Sequence, residues 1–482
     1  MTFSIFTFLF LLLVLASFYG IRNAVRPHLL LAAGLIWLAV LDLKSCIAAL
    51  LCTLFVYGAA LLCERLKGEG KDSRARKAGN AAIILLILLL AGLKWLPFAV
   101  PVLPVSETAK AGILKNLILP LGMSYYLFQA IAYLKDVSRD AMPAEKNLFH
   151  FALYMCFFPK FLSGPIEQAQ KFLPQLKRLK FVRLFEKNRM SSSFSWLLYG
   201  YFLKTVVADR LAIYTDSLFA GYPDYNSLWL LLGALMYTLQ IYCDFAGYSA
   251  IAIGVGRLFG LELTQNFRSP YLAESISDFW RRWHISLSSW LRDMVYIPLG
   301  GNRKGKLRQC MHVAVVFVIC GLWHGNGLQF LAWGLLHGLY SVADILIFRK
   351  KEKSRLRKGL DRVGCFAAVS FAWVFFGSES LGKAVGYIRT FLSGLGRLPE
   401  FSGGAALLGI DGTEIVILLL SVLLVLLTDI VSERSGQAFP ETIRNWPYGY
   451  RYLVYYAAIL IIFVFGIYGP GYDAGSFMYM EF

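Results

Sequence analysis

Residues 313 to 348, VAVVFVICGLWHGNGLQFLAWGLLHGLYSVADILIF, form a 36-residue run that is apolar almost throughout yet contains two histidines, His324 and His337. One membrane-crossing helix needs roughly 20 apolar residues, so the run is nearly twice too long for a single crossing. It reads as two apolar helices joined by a break. The break falls at GLWHGNG, where Gly321, Gly325 and Gly327 carry the largest backbone entropy cost in a helix and permit the least usual turns. The basic flank ends at Arg308. His324 follows 16 residues later, which at about 1.5 Å per residue places it up to roughly 24 Å in, within a hydrocarbon core about 30 Å thick. Irregular backbone at that depth is tolerated only where protein or a water-filled cavity covers it. An imidazole there marks a functional site.

Composition fixes the class. The chain has 482 residues, of which 57% are hydrophobic and 16% charged; soluble domains carry about 25% charged residues. We therefore expect an all-α polytopic integral membrane protein of about 9–11 spans plus re-entrant segments. The first 20 residues lack a basic n-region and a small-x-small cleavage site, so they read as an uncleaved first span rather than a signal peptide. A net charge of +18 would point a soluble protein toward nucleic acid, but here Lys and Arg sit in short blocks between apolar runs, as cytosolic loops do. No nucleic-acid partner follows; the lipid bilayer is the partner. The eight cysteines show no CxxC and lie mostly in apolar segments, which implies core thiols rather than a disulfide or zinc framework.

In chain order, spans are expected at about 28–43, 46–63, 78–100, 113–135, 193–213, 228–248, 364–378, 413–431 and 452–469, with the hairpin at 313–348. Residues 147–166 contain FFPKFLSGPIE, whose Pro159, Gly164 and Pro165 interrupt any helix and imply a re-entrant element. Residues 262–312 are aromatic, basic and broken by Pro270 and Pro298, which suits an interfacial cap. The whole reads as one polytopic domain, with N-terminal spans over 1–110, a catalytic core over 111–348 and C-terminal spans over 349–482.

Within the cap, His284 is accompanied by Phe279, Trp280, Trp283 and Trp290 and several arginines. Taken alone, this pattern is an aromatic belt with snorkelling cations. Against that, His284 and His324 both fall in broken segments on either side of one hairpin entrance. His28 and His150 sit at span edges, His312 begins a span and His337 lies mid-helix, where a packing role is the simpler reading. Gly300 to Lys306 satisfies G-x-x-x-x-G-K, but Leu307 replaces the Ser or Thr that would hold Mg²⁺ and no strand precedes it. Nucleotide hydrolysis is rejected, although a basic turn there can attract the phosphates of a coenzyme. No metal-ligand spacing is present, and none is expected.

The segments QIYCDFAGYSAIAIG, NFRSPYLAESISDFWRRWHISLSSWLRDMVYIPLGGNRKG and GLWHGNGLQFLAWGLLHG together resemble the membrane-bound O-acyltransferase superfamily, in its bacterial branch that acetylates alginate. FFPKFLSGPIE and the C-terminal FMYMEF fit that branch as well. The likeness runs over most of 115–345. Met294 and Leu328 depart from the usual residues, an aromatic and a Trp, which alters lining and leaves the histidines in place. The resemblance implies a bundle around a central funnel that leads from the cytosol to a buried histidine. The residue matching the catalytic histidine is His324, and the second motif histidine is His284. Because a hydroxyl acceptor ionises far above pH 7, transfer from a thioester requires a positioned base, and an imidazole in a low-dielectric site stays neutral and takes the proton. His324 fills that role, with His284 positioning a reactant or stabilising the oxyanion. Asp244, Asn266, Lys160, Trp323 and His337 are expected to line the cavity. Arg303, Lys304, Lys306 and Arg308 are expected to steer the donor.

The implied activity is O-acetyl transfer from acetyl-CoA, a substrate rather than a bound cofactor, or from an acyl carrier protein. The acceptor would be an exopolysaccharide or cell-wall glycan, reached through an extracytoplasmic acetyltransferase or esterase-like protein. The alternatives are D-alanyl transfer to teichoic acid and, from another class, a transporter or flippase, against which no inverted repeat of the hairpin is seen. The implied location is the bacterial cytoplasmic membrane, with both termini outside. On that topology, single cysteines at 64–77, 171–189 and 349–362 in a Cys-free background should resist an impermeant thiol reagent in intact cells, and cysteines at 214–227 should label; external labelling of 349–362 would overturn the hairpin reading.

Overall fold

The computed structural model describes residues 5–100, 104–116, 119–184, 186–347, 354–396 and 401–468. Among these, every regular element is a helix, and nine helices are long and apolar enough to cross a membrane. The chain divides into two compact units, Met1–Ser193 with Ala252–Thr264, and Phe194–Ile251 with Gln265–Phe482.

The first unit opens with α1 (Ile5–Gly20), α2 (Arg26–Leu41), α3 (Leu43–Gly68) and α4 (Asp72–Ala99). Helix α1 has only 16 residues, short for the full span expected of it. Asp42 starts α3 by accepting from the backbone N–H groups of Lys44 and Ser45 at 3.2 and 2.9 Å, and so satisfies two donors that a helix start leaves orphaned. The loop expected at 64–77 is mostly helix, because α3 runs on to Gly68 and α4 begins at Asp72; the basic residues ride on helix ends.

The span expected at 113–135 is not one helix. α5 (Glu107–Asn116) and α6 (Met123–Ser138) are separate, and α6 is preceded by Gly122 in a left-handed conformation. Fourteen of the 16 residues of α6 are buried, Gln129 among them, so it is an internal helix and not a lipid-facing one. The broken segment that follows is as expected: α7 (Leu148–Cys156), an extended Phe157, α8 (Phe158–Phe161) and then α9 (Ala169–Leu176). Close backbone approach ties this unit together. A Cβ on Gly34 would stand 2.5 Å from the Cys156 carbonyl oxygen, and one on Gly79 would stand 2.4 Å from Ser138 Cβ.

Helical structure over 187–220, of which 187–193 belongs to the first unit and the rest to the second, replaces the simple span expected at 193–213. α10 (Lys187–Tyr201) passes through a π-helical turn, Phe202–Ala208, into α11 (Asp209–Ala220). Helix α12 (Ser227–Leu258) is longer than the 228–248 expected. The cap contains α13 (Ile276–Arg282), α14 (Ile285–Leu291), a second π turn at Arg292–Tyr296 and α15 (Ile297–Leu299). Its aromatics are not an interfacial belt: Phe279, Trp283 and Trp290 are buried, with Phe279 and Trp283 stacked at 5.5 Å. Arg282, which would have snorkelled, pairs with Glu433 at 2.6 Å and Asp278 at 2.9 Å.

The hairpin is α16 (Lys306–His324) and α17 (Leu328–Ile347), broken where the glycines predict. Then come α18 (Arg355–Gly377), α19 (Leu381–Ser393), α20 (Phe401–Leu408), α21 (Gly412–Ser435), α22 (Phe439–Arg444) and α23 (Tyr448–Phe465). Part of the loop expected at 349–362 therefore belongs to α18. The FMYMEF segment lies outside the described residues.

Helices α16 and α17 meet with almost no space between backbones. A Cβ on Gly321 would lie 2.5 Å from the Phe330 carbonyl oxygen, and one on Gly334 would lie 2.5 Å from that of Phe317. Because the obstacle is backbone, a methyl group forces the helices apart, at about 1–3 kcal/mol. That exceeds the roughly 0.5–1 kcal/mol a helix gains when Gly becomes Ala. Gly321→Ala should accordingly lower the thermal midpoint of the purified protein. Gly359→Ala, in α18 with nothing within 4 Å of its Cβ position, should leave it unchanged or raise it.

Candidate active site

Helix α16 ends at His324 because Gly325 leaves the helix in an extended conformation. A side chain at Gly325 would strike the Phe330 ring, 2.2 Å from its nearest carbons, so glycine lets the chain turn there without displacing Phe330. His324 is thereby held, 2% exposed, at the point where the hairpin reverses. Its ring meets Trp323 at 4.7 Å, Trp333 at 5.0 Å and Phe376 at 5.1 Å, the last two edge-on from α17 and α18.

His284 occupies the turn between α13 and α14, fully buried, with left-handed backbone angles of φ 42° and ψ 54°. Non-glycine residues enter that region at a cost of order 1 kcal/mol, and they do so mainly where surrounding structure dictates it. The ring lies edge-on to Phe245 of α12 at 4.7 Å and 6.2 Å from Trp323. Burial pushes its pKa down to about 3, so the imidazole is neutral at any physiological pH.

One indole thus touches both motif histidines. The same pattern repeats on the other side, where Trp333 contacts His324 at 5.0 Å and His337 at 4.9 Å. His337 Nδ1 accepts from the Trp280 indole N–H at 3.2 Å, which places its own proton on Nε2. That Nε2 has no hydrogen-bond partner among the described residues.

Asn266 lies beside this site but serves the backbone. Its carbonyl oxygen accepts from Ile285 N–H at 3.0 Å and its Oδ1 from Ser286 N–H at 3.1 Å, the two residues after His284. Asp244 is engaged elsewhere: Lys204 donates to it at 2.7 Å and to Asp209 at 2.7 Å, all three buried. The crossing that permits this is tight, since a Cβ on Gly200 would stand 2.8 Å from the Gly247 carbonyl oxygen. Lys204 and Asp209 escaped the sequence reading. The available signal was two opposite charges five residues apart inside an apolar run, the spacing at which a π turn brings side chains together.

Lys160 belongs to the first unit and is satisfied there, donating to the Tyr154 carbonyl oxygen at 2.6 Å and to Gln129 Oε1. Nearby, Glu167 accepts from Thr264 N–H at 2.5 Å and its hydroxyl at 3.0 Å. Burial drives Lys160 down and Glu167 up, each toward its neutral form, while their mutual attraction opposes both.

Arg303 and Lys304 are exposed on a turn built from Gly300, Gly301 and Gly305, all at positive φ, and Lys306 and Arg308 are exposed in the first turn of α16 that follows it. The Gly301 carbonyl oxygen meets His312 Nδ1 at 2.9 Å, stapling the turn to α16. Beside it opens a cavity of about 300 Å³. One wall is the α16 face formed by Val313, Val316, Phe317 and Cys320; Trp280, Ser288, Leu291, Arg292 and Tyr296 make the other. Its inner end at Cys320 is one helical turn from His324. Among the described residues no cluster of His, Cys, Asp and Glu is arranged to hold a metal.

The profile of MBOAT, the membrane-bound O-acyltransferase family, matches residues 33–382. A Pseudomonas putida protein named "Probable alginate O-acetylase AlgI" is 34% identical over 421 residues, covering 86% of this chain and 84% of its own length. The chain belongs to the membrane-bound O-acyltransferase family. A Helicobacter pylori peptidoglycan O-acetyltransferase is 37% identical over 306 residues, 57% of each chain. A Streptococcus thermophilus teichoic acid D-alanyltransferase is 31% identical over 260 residues, 50% of this chain and 61% of that one. The protein is an acyltransferase of the membrane, and the transporter alternative falls away.

The depressed pKa of His284 has a stability consequence. The unfolded histidine takes up a proton near pH 6.5, and the folded one refuses it until about pH 3. The stabilisation is therefore complete above pH 6.5 and lost progressively as pH falls toward 3. His284→Asn, which tolerates left-handed backbone, should flatten the decline in thermal midpoint between pH 7 and pH 4.5 relative to wild type.

Proposed function

We propose that this protein transfers an acetyl group from a cytosolic thioester, acetyl-CoA, toward hydroxyls of an extracytoplasmic glycan, with His324 as the general base. The observation that carries the reading is the contact of both motif histidines with one buried indole, Trp323, in a family whose alginate-acetylating members match this chain over four-fifths of its length. His324 takes the proton from the acceptor hydroxyl as that oxygen bonds to the thioester carbonyl carbon. The C–S bond then breaks, and the imidazolium returns the proton to the departing thiolate. His284 is a neutral donor suited to the oxyanion that forms between these steps. The basic turn draws in the donor's phosphates, and the neighbouring cavity accommodates its pantetheine arm. Delivery to the glycan runs through an extracytoplasmic acetyltransferase or esterase-like partner, and the chain works in the bacterial cytoplasmic membrane with both termini outside.

D-alanyl transfer from a carrier protein is the second reading. It rests on the teichoic acid D-alanyltransferase relatives, which match about half of the chain against four-fifths for the alginate relatives. Purified protein offered acetyl-CoA and, separately, a D-alanyl carrier protein should consume only the first. His324→Ala should lower that consumption by about 10²- to 10⁴-fold at unchanged membrane yield. Retention of more than about a tenth of the activity would remove His324 from the base role.

A further inference from the structure

The N-terminal N–H groups of a helix must find acceptors, and the residue before the first helical position ordinarily supplies one from its side chain. At α14 that residue is His284, and its side chain makes no such bond. The acceptors come from another part of the chain, in the loop before α13. The Asn266 carbonyl oxygen takes Ile285 N–H and the Asn266 carboxamide oxygen takes Ser286 N–H. One turn earlier the lacing continues, with Arg268 N–H donating to the Arg282 carbonyl oxygen at 2.9 Å. The loop thus runs along 282–286 on both sides of the histidine. The carboxamide nitrogen of Asn266 donates to Ser249 Oγ of α12 at 3.4 Å, which fixes which way the amide faces. Asn266 and Ser249 are both buried.

We propose that Asn266 is the positioning residue for His284: by capping α14 in place of the histidine, it releases the imidazole from the capping role and holds the left-handed turn that aims it at Trp323. With the Asn266 side chain lost, the backbone carbonyl still takes Ile285 N–H but the buried Ser286 N–H lacks its acceptor, and the least costly repair is for the His284 ring to swing back and cap its own helix. A relaxed backbone would carry the ring the same way, because these bonds and the packing around them help to maintain the left-handed angles. Ser249 acts one step further out, through the orientation of the amide.

This inference rests on the proposed role of His284 and is tested apart from it. Full-length protein would be purified as Asn266→Ala, Ser249→Ala, His284→Ala and the Asn266→Ala/His284→Ala pair, with acetyl-CoA consumption giving kcat and KM. Asn266→Ala should lower kcat by 30- to 300-fold with KM changed less than threefold, and Ser249→Ala should lower kcat by about 3- to 10-fold. In the His284→Ala background, Asn266→Ala should change the residual rate less than twofold, since a residue that acts only through the imidazole has nothing left to act on. A merely structural asparagine would instead lower activity by the same factor in both backgrounds, and that result would overturn the proposal. Unchanged kcat in Asn266→Ala would overturn it too. If His284→Ala itself keeps full activity, the role of His284 fails and the proposal with it. Should Asn266→Ala not accumulate, Ser249→Ala carries the test by the same double-mutant comparison with His284→Ala, with equal losses in both backgrounds again overturning it.

Discussion

The contact of Gly321 with Phe330 and of Gly334 with Phe317, backbone against backbone, governs how the second unit is arranged. Two helices this close cannot interpose side chains at the crossing, so the bulky residues on either side of it are displaced into a ring around the hairpin end. Trp323, Phe330 and Trp333 come from the hairpin and Phe376 from α18. His324 is left at the centre of that ring as the last helical residue before the chain reverses. Small residues are what membrane helices use to approach, since lipid supplies no hydrophobic drive between them. The same device recurs at Gly200 and Gly247, where it brings Lys204 to Asp244.

The two motif histidines are fixed by opposite means. His324 is held by its place at a helix end and by aromatic packing, with the irregular backbone at Gly325 taken up by a residue that needs no space. His284 sits on strained backbone that remote bonds from Asn266 maintain. That difference matters for chemistry, because a group of unfavourable conformation is aimed only as well as the groups that restrain it, and an ångström of error costs heavily in an acyl transfer. The charges nearby follow a similar division of labour. Asp244 is adjacent in sequence to Phe245, which touches His284, yet its charge is bound to Lys204 and stays away from the imidazole.

The hairpin, its break and the two histidines were legible in the sequence because each is a local property: run length, glycine density and the position of a polar group in an apolar stretch. Most spans were legible for the same reason. What was hidden depends on partners far along the chain. Residues 123–138 have the hydropathy of a lipid-facing helix, and only the packing of α3, α4 and α7 around it makes it an internal one. The cap aromatics carry the composition of an interfacial belt, and nothing local distinguishes that from a core built of Phe279 on Trp283. The hydrogen bonds of Asn266 to Ile285 and Ser286 were hidden, since a side chain that lines a cavity and one that caps a helix 19 residues away have the same sequence appearance. Lys160 and Asp244 were polar residues in apolar surroundings with their partners unseen.

An acyltransferase that holds a thioester near a base has to keep water from the carbonyl carbon, because water is the most abundant hydroxyl present. Aromatic rings serve this better than aliphatic chains, being flat enough to close around an imidazole and rigid enough to stay closed. Around His324 they stand edge-on at about 5 Å from two separate helices, which leaves the ring supported on its faces and short of room for bulk solvent. The cost is that each indole N–H packed in and beside this ring must find a partner or go without. Trp280 finds His337, and this explains a histidine at mid-helix in α17: it accepts the hydrogen bond that a tryptophan beside the cavity wall would otherwise lack, and a leucine of similar size would not. His337 is thus engaged through Nδ1 by Trp280, whereas His324 stands at the break of the hairpin.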